Sequence, residues 1–308
     1  MDLRIFTEPQ FGASYGDQLA VAQAAEAAGF DAFFRSDHWV AFAGDGLPGP
    51  TDSWVTLGAI ARETERIRLG TLVTSMTFRF PGPLAVAVAQ IDEMSGGRVE
   101  LGLGAGWFDG EHDAYGIPFP DTGERFDRLE EQLAVITGLW ETPIGERFSH
   151  DGAHYPMTDS PALPKCVQEP RVPIIVGGHG TKKTPRLAAT YADEFNLAFS
   201  PITDFGPAKE RVTAACEAPH RDPATMTWSA ALTVAMGTDE AEYTRRVEAI
   251  GWDPDGLRAG QLGGTVEEVK DRLGQWAEAG AERIYLQVLD LSDLDHIAFL
   301  GEELVGSV

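Results

Sequence analysis

Val99-Glu100-Leu101-Gly102-Leu103-Gly104-Ala105-Gly106-Trp107-Phe108-Asp109-Gly110-Glu111 begins as a strand, with Val99, Leu101 and Leu103 alternating along it, and turns at its glycines into a loop that carries Trp107 and Glu111. Glycines at 102, 104 and 106 remove side chains at alternate positions, so a flat ligand can lie directly against the backbone. A strand end that bears glycine, an aromatic ring and then a carboxylate has the makings of one wall of an active site. A glycine-rich bulge with nothing bound is the alternative.

This strand is the fourth of a series. Residues 3–6, 31–35 and 67–74 read as strands one to three, the last rich in β-branched residues. Helices fit between them at 18–28, capped by Asp17 and stopped by Gly29, at 53–63, and from Pro81 to about Met94, closed by Gly96-Gly97. Beyond the fourth strand, residues 123–140 are amphipathic through Phe126, Leu129, Leu133, Ile136 and Leu139. A small hairpin is expected with Arg147-Phe148 against His154-Tyr155 and Asp151-Gly152 at its turn. Strands five to eight fall at 172–176, 194–198, 227–236 and 283–288, with helices near 185–192, 205–218, 265–279 and 293–304. Such continuous alternation predicts an α/β fold, a single (β/α)8 TIM barrel over residues 1–308 with insertions after strands four and seven. An open doubly wound sheet fits less well, because no early strand-GxGxxG-helix is present.

The composition suits a globular chain with a full core: 43% of its 308 residues are hydrophobic and 23% charged. No apolar run approaches the roughly 20 residues of a membrane span. The start of the chain enters a strand without a signal-peptide pattern, and Cys166 and Cys216 sit far apart in no metal-type spacing. A cytoplasmic location is therefore expected. The net charge of −24, from 48 acidic against 24 basic residues, argues against nucleic acid or an anionic membrane as partner. It also means that any basic cluster stands against the overall field.

In a barrel of this kind the chemistry lies where the strands end. After strand two come Asp37-His38, a histidine able to act as general acid or base beside a carboxylate, or simply a surface histidine. The end of strand three clusters the hydroxyls of Thr74, Ser75 and Thr77, able to bond the edge of a polar heterocycle, although threonine is also an ordinary strand residue. Strand four leads into Gly104-Ala105-Gly106-Trp107 and Glu111. After strand five, Gly177-Gly178-His179-Gly180-Thr181-Lys182-Lys183 runs into a helix and offers backbone N–H groups to an anion. Cations there oppose the helix dipole unless an anion sits between, so Lys182 and Lys183, with Arg186 just beyond, sharpen the reading of an anion site; exposed lysines on a helix are the plainer alternative. The seven histidines form no HExxH or clustered ligand pattern, and no metal is expected.

Taken as an ordered set, these motifs resemble the bacterial luciferase-like superfamily, and within it the oxidoreductases that depend on the deazaflavin coenzyme F420. The matching residues are Glu8-Pro9-Gln10, Gly29-Phe30-Asp31 with Ser36-Asp37-His38, and Leu69-Gly70-Thr71 through Phe78-Arg79-Phe80-Pro81. They continue with Ser95-Gly96-Gly97-Arg98, Gly104-Ala105-Gly106-Trp107 with Glu111, Gly123-Glu124-Arg125-Phe126, and Gly177-Gly178 through Lys182-Lys183 to Ala192-Asp193. Pro185 departs from the apolar residue expected at its position, which bears on where that helix starts.

The resemblance implies a (β/α)8 barrel, commonly dimeric, with the deazaflavin ring at the end of strand three and a non-prolyl cis peptide at Leu72-Val73, next to Thr74 and Ser75. It implies that Gly177 to Thr181 receive the coenzyme phosphate, that the basic pair meets the phosphate and the first part of the coenzyme tail, and that the reaction is a two-electron hydride transfer with a small-molecule substrate. His38 is then the candidate proton donor or acceptor, oriented by Asp37. A related sugar-phosphate dehydrogenase has a glutamate directly after the glycine turn; here Trp107 stands there and the nearest acid is Glu111. An FMN-dependent monooxygenase of the same superfamily is the runner-up, and a non-catalytic flavin-binding barrel the third reading.

Overall fold

The computed structural model describes residues 1–307. Eight parallel strands carry the architecture: β1 (Asp2–Thr7), β2 (Ala32–Arg35), β3 (Arg68–Thr71), β4 (Val99–Gly104), β5 (Ile174–Gly177), β6 (Glu194–Ala198), β7 (Thr227–Gly237) and β8 (Arg283–Val288). Each pairs in parallel with its neighbours in chain order, and β8 returns to β1, closing the ring. The expected (β/α)8 barrel is therefore the fold, and all eight strands lie where the sequence placed them.

Parallel strands need crossover connections, and the amphipathic helices supply them on the outside. The helix Ser53–Glu63 starts at Asp52, whose carboxylate accepts from the N–H of Trp54 and Val55, and the helix Pro81–Ser95 stops at Gly96 in the left-handed region. The first helix differs from expectation. It spans Tyr15–Ala27 with Ser14 as its N-cap, and Asp17 is the third helical residue of a capping box that bonds back to Ser14.

Inside the ring, Phe6, Phe34, Leu72, Ile175, Ala231 and Tyr285 fill the space beneath the C-terminal mouth. The other end is closed by charge. Arg4 on β1 donates to Glu100 on β4 at 2.6 Å and to the Tyr285 hydroxyl at 3.1 Å, while Arg68 also reaches Glu100 and Arg283 reaches Glu194. All four of Arg4, Glu100, Tyr285 and Glu194 are buried.

Both insertions are present. After β4 come the helices Asp109–Tyr115 and Thr122–Glu141 and a hairpin pairing Phe148 with Ser160 and His150 with Met157. That register replaces the expected pairing of Arg147-Phe148 with His154-Tyr155. The Glu131 carboxylate accepts from the N–H groups of Ala153, His154 and Tyr155, which draws these residues onto the Thr122–Glu141 helix and widens the loop. After β7 come helices Glu240–Ala249 and Pro254–Gly260 and a strand, Leu262–Thr265, on the far end of β7. The sequence pattern did not show these, because the Glu240–Ala249 helix buries little beyond Tyr243, Val247 and Arg246, and the strand contains Gly263-Gly264. Among the described residues no helix is long and apolar enough to cross a membrane.

Candidate active site

The C-terminal mouth of the barrel brings together three of the four expected clusters. His38 follows β2, and its Nδ1 lies 2.9 and 3.2 Å from the two carboxylate oxygens of Glu111, which comes from the helix after β4. Glu111 is buried and also accepts from the Trp39 N–H at 3.0 Å. A carboxylate only accepts, so Nδ1 of His38 carries a proton, and in the neutral imidazole Nε2 then presents a lone pair. Around the histidine stand Phe42, with ring centroids 4.7 Å apart, and Trp107, at 5.7 Å.

Asp37 does not orient His38. Its Oδ2 accepts from Arg79 at 2.5 Å and from the Thr74 hydroxyl at 2.9 Å, and its Oδ1 is buried without a partner. Arg79 donates its other nitrogen to Asp52 at 2.6 Å. The buried Asp37–Arg79–Asp52 chain thus joins the ends of β2 and β3 to the start of the Ser53–Glu63 helix. Burial alone would push the Asp52 carboxyl up, but Arg79 and the helix N–H groups outweigh it and hold it below its ordinary value. Beneath this chain Arg35 is fully buried with no carboxylate in hydrogen-bond contact, and burial brings its guanidinium down to about 10 against the pull of Asp37 and Asp52.

The end of β3 continues as Leu72-Val73-Thr74-Ser75, with Leu72-Val73 cis, as the resemblance implied. Thr74 and Ser75 pair with Leu103 and Gly104 of β4. This placement accounts for the glycines of β4. A Cβ on Gly102 would stand 2.0 Å from the Thr71 carbonyl oxygen, and one on Gly106 would stand 2.4 Å from the Ser75 hydroxyl. The faces that seemed open to a ligand are filled by the neighbouring strand. Gly104 is buried against Val73, while Ala105 and Gly106 are half-exposed, with the Gly106 carbonyl held by Arg125.

Behind Ser75 lies a directional chain that sequence reasoning missed. His112, fully buried, gives Nδ1 to the Phe108 carbonyl at 2.7 Å, so Nε2 accepts from Thr77 at 2.6 Å. Thr77 in turn accepts from Ser75 at 2.6 Å, which leaves the Ser75 oxygen with lone pairs only. A second missed network starts at Glu8, after β1. Its carboxylate accepts from Gln10 at 2.6 Å and Gln287 at 2.9 Å; Ser36 donates to Gln10 at 2.7 Å and Thr233 to Gln287 at 2.6 Å. The acid at the end of strand one was the available signal for it.

The fourth cluster follows β5. Gly178 has φ +131°, a conformation suited to glycine, and Gly177 is packed so closely that a Cβ would meet the Asn196 carbonyl oxygen at 2.7 Å. His179 stands 3.2 Å from the Ser200 hydroxyl, and Gly180 and Thr181 are exposed. The helix Lys183–Tyr191 begins two residues before Pro185 and has no side-chain cap. Its first N–H groups are therefore open to an anion, less the one that Pro185 lacks. Lys183 is already paired with Asp127 and the Gly123 carbonyl, and Arg186 with Glu130, all on the Thr122–Glu141 helix. Lys182 is exposed and makes no ion pair among the described residues.

Residues 1–253 match the luciferase-like monooxygenase family. The chain belongs to that family. Within it, an F420-dependent glucose-6-phosphate dehydrogenase of Nakamurella multipartita is 41% identical over 187 residues, covering 60% of this chain and 52% of the relative. An F420-dependent hydroxymycolic acid dehydrogenase of Mycobacterium tuberculosis is 35% identical over 233 residues, covering 72% and 60%. The chain spans about half the length of the glucose-6-phosphate dehydrogenases it matches. Among solved structures, an F420-dependent secondary alcohol dehydrogenase in complex with an F420-acetone adduct superposes with a TM-score of 0.85 at 21% identity, covering 99% of this chain and 98% of that one. This likeness of fold matches the closed barrel described above.

Proposed function

We propose that this chain is an F420-dependent oxidoreductase, a single (β/α)8 unit that transfers a hydride between the deazaflavin coenzyme and a small organic substrate. The observation that carries the reading is the His38–Glu111 pair at the barrel mouth, with Nε2 free of protein partners, in a chain several of whose relatives are named as F420-dependent. The residues present fit such a coenzyme. The end of β3, Leu72 to Ser75, and the adjoining Ala105, Gly106 and Trp107 would hold the ring. Gly177 to Thr181, the uncapped N–H groups before Pro185 and Lys182 would hold the phosphate.

When bound, a 5-deazaflavin supplies hydride exchange at ring carbon 5. The chain's own contribution is proton handling and placement. Glu111 keeps the His38 proton on Nδ1, so that Nε2 can take a proton from an alcohol or, once protonated, return it to a carbonyl oxygen. Ser75 presents only an acceptor, fixed by Thr77 and His112. We place the enzyme in the cytoplasm as a homodimer; the free thiols of Cys166 and Cys216 are consistent with a reducing compartment.

Fluorescence titration of the purified chain with F420 and FMN tests the reading. Binding of F420 in preference to FMN is expected, together with anaerobic turnover. Tight FMN binding with none for F420, and oxygen consumed in turnover, would move the chain to the monooxygenase class.

A further inference from the structure

We propose that Asp127 and Glu130 set which forms of the coenzyme this chain favours: they cancel the cations that would read its anionic tail, so that recognition ends at the phosphate. The proposal rests on the F420 reading above. Coenzyme F420 carries a phosphodiester followed by a lactyl-oligoglutamate tail, and every glutamate adds negative charge.

The loop after β5 and the helix start that follows it, residues 177–186, hold three cations, Lys182, Lys183 and Arg186, and no acid. Left to itself, such a cluster would draw a polyanion onto the surface beside the phosphate, against the net charge of −24. The helix Thr122–Glu141 removes that attraction. Lys183 and Arg186 lie three residues apart on one helix face, Asp127 and Glu130 three apart on the other, so the two helices match turn for turn. Lys183 donates to the Gly123 carbonyl oxygen at 3.0 Å and to the Asp127 carboxylate. Arg186 meets Glu130 with both terminal nitrogens, one of them 2.6 Å from Oε2, the two-bonded form that is strongest for such a pair. The bond from Lys183 holds the Asp127 carboxyl below its ordinary value, which keeps it charged at neutral pH.

The other cations of the Thr122–Glu141 helix are engaged as well, Arg128 by Glu124 and Arg125 by the carbonyl oxygens of Pro120 and Gly106. Lys182 is left, and its one positive charge matches the single negative charge of a phosphodiester. A tail carboxylate can take Lys183 or Arg186 only by displacing Asp127 or Glu130. That exchanges one carboxylate for another and strands the displaced acid on an acidic surface, so a longer tail gains no attraction. The pairs are exposed and add little to the stability of the fold; what they change is the field that the tail meets.

The test titrates the purified chain with F420 bearing one glutamate and with F420 bearing five, following the coenzyme fluorescence at low salt and at about 0.5 M salt. The wild-type chain is expected to bind the long form no more tightly than the short one. In the double variant Asp127→Asn, Glu130→Gln, which frees both cations, the long form should gain about threefold or more over the short at low salt and lose that gain at high salt. The double variant Glu217→Gln, Glu278→Gln changes the net charge equally at exposed positions, at the C-terminal ends of helices Phe205–Ala215 and Val266–Glu278, and should keep the wild-type ratio. A wild-type preference of threefold or more for the long form, no gain in the first double variant, or an equal gain in the second would each overturn the proposal and leave the coenzyme reading standing. Binding of FMN with neither form of F420 bound would instead remove the coenzyme reading, and this proposal with it.

Discussion

His38 and Glu111 act as one unit, since each holds the other and Glu111 also ties down the Trp39 N–H. His38→Ala should lower turnover by roughly 10²–10⁴ while F420 affinity is largely kept. Adding Glu111→Ala to that variant should cost little more, because groups that work together are not additive. Stopped-flow turnover of the two single variants and the double variant, with F420 binding measured alongside, checks both statements; a double variant slower by the product of the two losses would show independent roles. His112 offers a separate residue-scale test. Its bond to the Phe108 carbonyl puts a proton on Nδ1, and the chain through Thr77 to Ser75 runs as described when Nε2 is the acceptor, which ¹⁵N NMR of the ring nitrogens reads directly. The Nε2–H form would reverse the chain and turn the Ser75 oxygen into a different partner.

At the scale of elements, the junction of β3 with β4 depends on absent side chains. Gly102→Ala drives a methyl into the Thr71 carbonyl and should destabilise the fold by about 1–3 kcal/mol or more. Gly274 lies inside the helix Val266–Glu278 with nothing within 4 Å of a built Cβ, so Gly274→Ala should stabilise by about 0.5–1 kcal/mol. Urea unfolding of the two variants should therefore show shifts of opposite sign. The helix Lys183–Tyr191 supplies the other contrast. Lys182→Ala should weaken F420 binding by about 1 kcal/mol, an exposed charge-assisted contact being worth less than a buried one. Arg186→Ala should leave it unchanged, because that guanidinium lies on Glu130. Equal effects of the two substitutions in an F420 titration would contradict this assignment.

For the whole molecule, acid is the revealing perturbation. Burial alone would push the Glu100 carboxyl up, but Arg4, with Arg68 and Arg283 behind it, holds it down at about 2. A carboxyl depressed in the folded state contributes stability above its unfolded value near 4.5 and loses it as pH falls from there toward 2. His296 adds a window at higher pH. Burial, reinforced by Arg246, lowers it from 6.5 to about 4, and its Nε2 accepts the Met236 N–H. It folds neutral, so its contribution is full above 6.5 and declines as pH falls toward 4. Melting temperature should therefore begin to drop below about pH 6.5 and fall again below about pH 4.5. Glu100→Gln should destabilise the fold by about 1–3 kcal/mol at neutral pH, since it leaves buried Arg4 with Asp31 as its remaining carboxylate, and much less near pH 3. A variant with the same deficit at both pH values would show that Glu100 is not the titrating group.

What the sequence determined by itself was the order of elements: eight strands, the helices between them and the two long insertions. Those rest on local signals, apolar periods of two or 3.6 residues broken by Gly, Pro and capping residues, which act within a few positions of each other. It also marked the strand ends where chemistry gathers. Which groups meet there was decided only by tertiary structure. Asp37 and His38 are neighbours in chain, yet successive side chains of an extended segment point to opposite sides. Asp37 turns to Arg79 and Thr74, and His38 finds Glu111, 73 residues further on. Lys183 and Arg186 read as anion ligands until the Thr122–Glu141 helix brings Asp127 and Glu130 against them. The glycines of β4 read as a bed for a ligand until the end of β3 occupies it. In each case the partner is distant in sequence, and no local pattern records a contact that exists only once the barrel has closed.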